Sequence, residues 1–204
     1  GNVTEYSDAF TPLDQPFLFN DRESALKAVS GDAGTLMADQ FAKDTGVKTL
    51  GYWDFGFRCL SNSKREVASK TDMDGLKIRT LTSDTYVAMI SAMGASPTTM
   101  AYSEVFTGLQ QGTIDGQENP LNTIVDAGFY EVNRYISKTG HIYGFLGMYC
   151  SETWFNGLDP DTQKILLECS AEALKAQQGF NEEAEANAES KLKESGCTVT
   201  EIKD

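Results

Sequence analysis

The chemistry available to this sequence is concentrated in Arg79 and in the pair Glu118-Asn119, each set beside a short extended stretch. A guanidinium presents a planar fork that matches a carboxylate in a two-point, charge-assisted pair, which an ammonium cannot copy. On residue type alone, the ordinary fate of an arginine at a strand edge is a surface salt bridge. Asn119 can donate to a carboxylate and accept from a hydroxyl. It falls just past a strand end, where open α/β sheets place ligand sites, although an asparagine before Pro120 is also a common turn. Glu118 can accept from ligand hydroxyls or orient Arg79. Together these groups would capture an anion rather than turn one over. His141 is the only histidine. It has no catalytic or metal-binding partners in the sequence, so it reads as structural or at most cleft-lining. Asp115 and Glu118 do not make a glycosidase pair, because three residues apart along a strand they face opposite sides.

The elements that must position these residues alternate between strand and helix, which gives the α/β class. Asp21 and Glu23 start a helix that stops at Gly31, and a second helix covers Gly34 to Lys43. Val47 to Trp53 and Gly56 to Leu60 read as two strands, followed by a polar, turn-like stretch to Met73. Lys77 to Leu81 is extended, and Ser83 to Met93 has helical spacing with Gly94 as its stop. Pro97 to Met100 is extended again. Ser103 is expected to cap a helix carrying Val105, Phe106 and Leu109, which ends at Gly112. Thr113 to Gln117 is extended, Thr123 to Tyr130 helical, and Tyr135 to Thr139 and Gly144 to Ser151 extended. Pro160 to Ser195 reads as a long helix capped by Asp159, with Ile165, Leu166, Cys169, Ala173, Leu174 and Ala176 as its buried stripe and a bend near Gly179. A strand from Thr198 to Ile202 follows.

Composition narrows the partners. With 17 basic and 30 acidic residues among 204, a net charge of −13 argues against nucleic acid and anionic membrane surfaces. A small anionic ligand is still compatible, since a pocket needs only one or two well-placed cations. No apolar run approaches the ~20 residues of a membrane span. The sequence opens without a signal peptide and Gly1-Asn2 is expected to be a processing scar, so composition assigns no compartment. The four cysteines, Cys59, Cys150, Cys169 and Cys197, lack CxxC spacing. Buried or surface thiols are expected, with Cys59 and Cys150 as the one pair worth testing for a disulfide. No cofactor, metal set, nucleophile elbow or phosphate-binding glycine loop is implied.

The ordered run GLKIR, GASPTTMAYSEVFTGLQQG and DGQENP between Gly75 and Pro120 resembles the signature region of TRAP-transporter solute-binding proteins of the DctP type. The resemblance implies a periplasmic-binding-protein-like fold of two α/β lobes with a long C-terminal helix. It implies that Arg79 clamps a ligand carboxylate and that Asn119 binds beside it. Arg58, in GFR, matches a second ligand-facing arginine, and Tyr102 an aromatic that packs on the ligand, with a core aromatic as the alternative. Trp53, Phe55 and Trp154 are read as core or cleft lining. The family's opening strand–helix–strand units have no counterpart here. The expectation is therefore a first lobe missing its N-terminal part, from a fragment, a short gene or a complement supplied by a second polypeptide. The parts are residues 1–57 for what remains of that lobe, 58–150 for the second lobe with hinge-crossing strands, and 151–204 for the helix and strand packing across both.

The function this implies is extracytoplasmic, periplasmic capture of a small organic acid, of sugar-acid or C4-dicarboxylate type, and its delivery to TRAP permease subunits by a protein that is not an enzyme. Two other readings stay open. One is a sensory module with the same ligand-binding lobes; the other is a truncated, non-binding fragment that self-associates through exposed strand edges.

Overall fold

The structure is a computed structural model that describes residues 2–202. Two short 3-10 turns, Asn2–Glu5 and Asp8–Asp14, lead into helix α1 (Arg22–Ser30) and helix α2 (Asp32–Thr45). Asp21 caps α1 by accepting from the Ser24 amide, and Gly46 ends α2 in the left-handed conformation that glycine adopts without a Cβ penalty. Strand β1 (Val47–Phe57) follows and pairs only with β7 (Tyr143–Ser151), antiparallel, as a two-stranded ribbon. The two strands expected between Val47 and Leu60 are therefore placed differently. Gly56, at φ 103°, sits in a bulge that shifts the register against β7 by one residue without ending β1, and the chain breaks at Arg58 instead.

The second sheet has six strands, in the order β4-β3-β5-β2-β6-β8. They are β2 (Cys59–Asn62), β3 (Lys77–Thr80), β4 (Ser96–Thr99), β5 (Gly116–Asn119), β6 (Tyr135–Lys138) and β8 (Thr198–Glu201). Helix α3 (Asp84–Ala92) joins β3 to β4, and helix α4 (Val105–Gln111) carries the chain back past β3 to β5. Right-handed crossovers running in opposite directions place their helices on opposite faces. The side chains follow: Leu60 and Ile78 join Tyr86, Met89 and Ile90 of α3 in one core. On the other face Cys59 and Ile136 join Val105 and Leu109 of α4, and Ile124 of helix α5 (Leu121–Asp126). Because side chains alternate along a strand, Ile78 and Arg79 face different cores.

Three sequence expectations shift here. Ser103 does not cap α4; a 3-10 turn, Tyr102–Glu104, leads into it with no side-chain cap. The strand expected at Thr113 to Gln117 begins at Gly116, after a turn. The helix expected through Tyr130 stops at Ala127, where Gly128 turns left-handed before a second 3-10 turn, Phe129–Glu131.

A short helix, α6 (Glu152–Asn156), precedes α7 (Pro160–Glu194), 35 residues and about 52 Å long at 1.5 Å per residue. Asp159 caps α7 through the Thr162 amide, and the helix runs through Gly179 as one element. Of the expected inward stripe Leu166, Ala173 and Leu174 are half-buried, whereas Ile165 is 57% exposed and Cys169 and Ala176 are exposed. Ser170, Asn181, Ala188 and Leu192 are the buried positions. The first half lies on β1, where Ser170 donates to the Leu50 carbonyl and Gln177 bonds both backbone groups of Asp54. The second half packs on α5 and β8. All four cysteines are free thiols, and Cys59 and Cys150 sit in different sheets.

Candidate ligand-binding site

One edge of the six-stranded sheet gathers Arg58, Arg79, Tyr102, Glu118, Asn119 and His141. Strands β3 and β5 run parallel, so Thr80 and Asn119 end at the same edge. Strand β2 runs against β5, with Cys59 opposite Asn119, which brings Arg58 there as well. The turn that carries Tyr102 follows β4, and the segment with His141 follows β6. Both crossings to the ribbon, from β1 into β2 and from β6 into β7, leave from this edge. Open α/β sheets bind ligands at such an edge.

A cavity of about 600 Å³ lies between this edge and the ribbon. Arg58, Tyr86, Tyr102, Asn119, Thr123 and Asp126 line the sheet side, and Tyr52, Phe55, Tyr143, Phe145 and Tyr149 the ribbon side. The N-terminal turns add Phe10, Leu13 and Asp14. Among the described lining residues Arg58 is the only cation.

Arg58, 4% exposed, is held from behind by Glu118, which is fully buried. Its Nε donates to the Glu118 carboxylate in a tight ion pair, and Nη2 donates to the other carboxylate oxygen at 3.0 Å and to Asn119 Oδ1 at 3.1 Å. His141 Nε2 donates to the same carboxylate at 3.2 Å, with Thr139 Oγ1 2.7 Å from Nδ1, and Thr80 Oγ1 adds a fourth donor at 3.3 Å. The Arg58 guanidinium also stands over the Phe55 and Tyr86 rings, 5.7 and 5.6 Å from their centroids. Burial alone would raise the Glu118 pKa, but the Arg58 charge and the His141 hydrogen bond outweigh it and hold the group well below the usual carboxylate range. Burial likewise opposes the charge on Arg58, and Glu118 more than restores it.

Glu118 was expected to face ligand hydroxyls or to orient Arg79. It lies behind Arg58, does not line the cavity, and makes its hydrogen bonds to Arg58, His141 and Thr80. His141 is fully buried in this network.

Arg79 is 2% exposed and also lies behind the cavity surface. Its Nε and Nη2 donate to the Met100 carbonyl at 3.0 and 2.7 Å, which fixes the fork. Nη1 is buried and has no hydrogen-bond partner among the described residues. Burial pulls its pKa down; Glu118 opposes this, and the Arg58 charge adds to the lowering. An unpaired, desolvated guanidinium N–H is costly unless an anion meets it.

Asn119 is anchored too, its amide donating to Gln117 Oε1 and its carbonyl accepting from Arg58. Tyr102 is 51% exposed, its ring edge-on to Phe129 at 5.9 Å, so it is a wall of the cavity rather than a core aromatic. Phe55 lines the cavity, whereas Trp53 does not and Trp154 is exposed on α6. Sequence reasoning missed Thr123, Asp126 and the ribbon aromatics. The alternating aromatic run from Tyr143 to Tyr149 was the available signal. No cluster of His, Cys, Asp and Glu among the described residues could hold a metal ion.

The profile of the bacterial extracellular solute-binding protein family 7, DctP, matches residues 1–204, the whole chain. The chain belongs to this family. DctP proteins bind substrates and are not enzymes. The chain is 37% identical over 199 residues to the 2,3-diketo-L-gulonate-binding periplasmic protein YiaO of Escherichia coli K12, covering 97% of this chain and 60% of YiaO. It is 30% identical over 189 residues to the C4-dicarboxylate-binding periplasmic protein DctP of Rhodobacter capsulatus, covering 93% of this chain and 56% of the relative. The crystal structure of a TRAP periplasmic solute-binding protein from Polaromonas sp. JS666 bound to D-erythronate superposes with a TM-score of 0.95. That protein is 34% identical, with 99% of this chain and 66% of the other covered. The two-lobed α/β fold with its long C-terminal helix is therefore the fold of this family. The chain spans 56% to 60% of the length of the two relatives compared by sequence.

Proposed function

We propose that this chain is the ligand-binding part of a periplasmic solute-binding protein that captures a small organic acid and delivers it to TRAP permease subunits. The acid classes are those its relatives are named for, sugar acids and C4-dicarboxylates. One observation carries the reading. Arg79 is fixed by two bonds to Met100 while its remaining terminal nitrogen is buried and unpartnered, so a desolvated cation stands ready beside Arg58 and Asn119. In this reading the ligand carboxylate docks on Arg79 Nη1, Asn119 and the outer face of Arg58, and Tyr102 closes over the chain of the acid. Residues 1–57 belong to the first lobe and 58–150 mainly to the second, with 151–204 packed across both. The crossings at Arg58 and at Gly140-His141 are the hinge about which the lobes close.

The test is a thermal-shift and calorimetric screen of the purified chain against sugar acids, C4-dicarboxylates, 2-keto acids and amino acids. A binder should appear among the hydroxylated acids or dicarboxylates. A charge-assisted hydrogen bond is worth about 1.5–3 kcal/mol, so Arg79→Ala should weaken it at least about tenfold. Arg79→Lys should recover little, because it keeps the charge and loses the fork. Equal affinity in the wild type and both variants would remove Arg79 from the site.

A further inference from the structure

Arg58 lines the cavity, Arg79 is buried behind its wall, and the fully buried Glu118 carboxylate is bonded to Arg58. That leaves one uncompensated positive charge, on Arg79. Everything else ionic on the cavity wall is acidic: Asp14 on the N-terminal side and Asp126 at the end of α5. Arg58, Tyr102 and Asp126 line the same cavity of about 600 Å³, which puts a cation and this acid around one small volume. Among the described lining residues no lysine or second arginine faces Asp126 across the cavity.

From this juxtaposition we infer that the cleft is selective for a hydroxylated monocarboxylic acid and rejects the corresponding dicarboxylic acid. The inference rests on the acid-binding reading above and sharpens it. With its carboxylate on Arg79 and Asn119, a ligand extends its tail toward Thr123 and Asp126. A carboxylate accepts hydrogen bonds and donates none. A tail hydroxyl therefore completes Asp126, whereas a tail carboxylate meets it as a like charge with no cation between them. Selectivity arises as much from this repelling element as from the attracting arginine.

The experiment compares acids that differ only at the far end, gluconate with glucarate and erythronate with meso-tartrate, by isothermal titration calorimetry on the full chain. In each pair the monoacid should bind at least tenfold more tightly. Raised ionic strength should shrink the ratio, since the contrast is partly electrostatic at an exposed group. Asp126→Asn should narrow it at least threefold, chiefly by improving the diacid. Equal or tighter binding of the diacid overturns the inference and leaves the acid-binding reading standing. So does an unchanged ratio in Asp126→Asn. Failure of every acid to bind a cooperatively folded chain overturns both.

Discussion

Replacing Glu118 by Gln keeps the shape of the side chain and removes its charge. In the folded protein Glu118 is fully buried and accepts from Arg58, His141 and Thr80. The amide would turn one acceptor into a donor facing donors, and Arg58, 4% exposed, would lose its counter-charge. Breaking a buried pair from one side costs about 3–5 kcal/mol. For a protein of this size each kcal/mol moves Tm by roughly 2–4 °C, so a fall of about 10 °C at pH 7 is expected in a thermal melt. The pH dependence carries the sign. Because the folded-state pKa of Glu118 is depressed, its stabilisation is complete above the ordinary carboxylate value of 4.5 and is lost as pH falls below it. The gap between wild type and Glu118→Gln should therefore close toward pH 3. Adding Arg58→Met to the Gln variant removes the stranded cation and should recover part of the loss. A gap below about 1 kcal/mol, less than breaking such a pair should cost, would refute the account of Arg58 as an arginine held by a buried carboxylate. So would a gap that does not change with pH.

The carboxylate of Glu185 behaves in the opposite sense. Burial against Gly56 pushes its pKa up to about 7, with the Asp54 charge adding to the rise and the Asn122 amide opposing it. Its contribution to stability is present below 4.5 and lost as pH climbs through 7. Urea midpoints at pH 5 and 8 should differ less in Glu185→Gln than in wild type. Gly34→Ala should cost at least about 1–3 kcal/mol, because the new Cβ would fall 1.8 Å from the Val29 carbonyl oxygen at the α1–α2 junction. Gly31→Ala, whose nearest contact is 3.5 Å, is the control and should melt close to wild type.

Arg58, Arg79, Tyr102 and Asn119 stand out in the sequence because each lies in a short, ordered motif, and the fold places all four at one edge of the sheet. The partner of Arg58 does not stand out. Glu118 reaches it only because β2 and β5 pair with Leu60 opposite Glu118, and antiparallel register between strands so far apart leaves no local trace in the sequence. The inner face of α7 was misread for a different reason. Ser170, Gln177, Asn181 and Glu185 turn inward to bond backbone or amide groups, so polarity there marks attachment and not solvent. A hydrophobicity count favours Ile165 and Cys169 instead. Glycine in β1 misled in the same way, since Gly56 accommodates a bulge rather than a stop.

Those inward polar groups also have a mechanical consequence. Within eight residues α7 passes from one sheet to the other: Gln177 grips Asp54 of the ribbon, and Asn181 and Glu185 grip Asn122 at the start of α5. The helix is thus a beam clamped on both sides of a short span, itself tied at the Gln178 carbonyl by Arg22. Any rotation of one sheet against the other must twist that span, where Gly179 has open space around it. The stiffness of these two turns then supplies a restoring torque on the cavity, set at a distance from Arg58 and Asn119 in its wall.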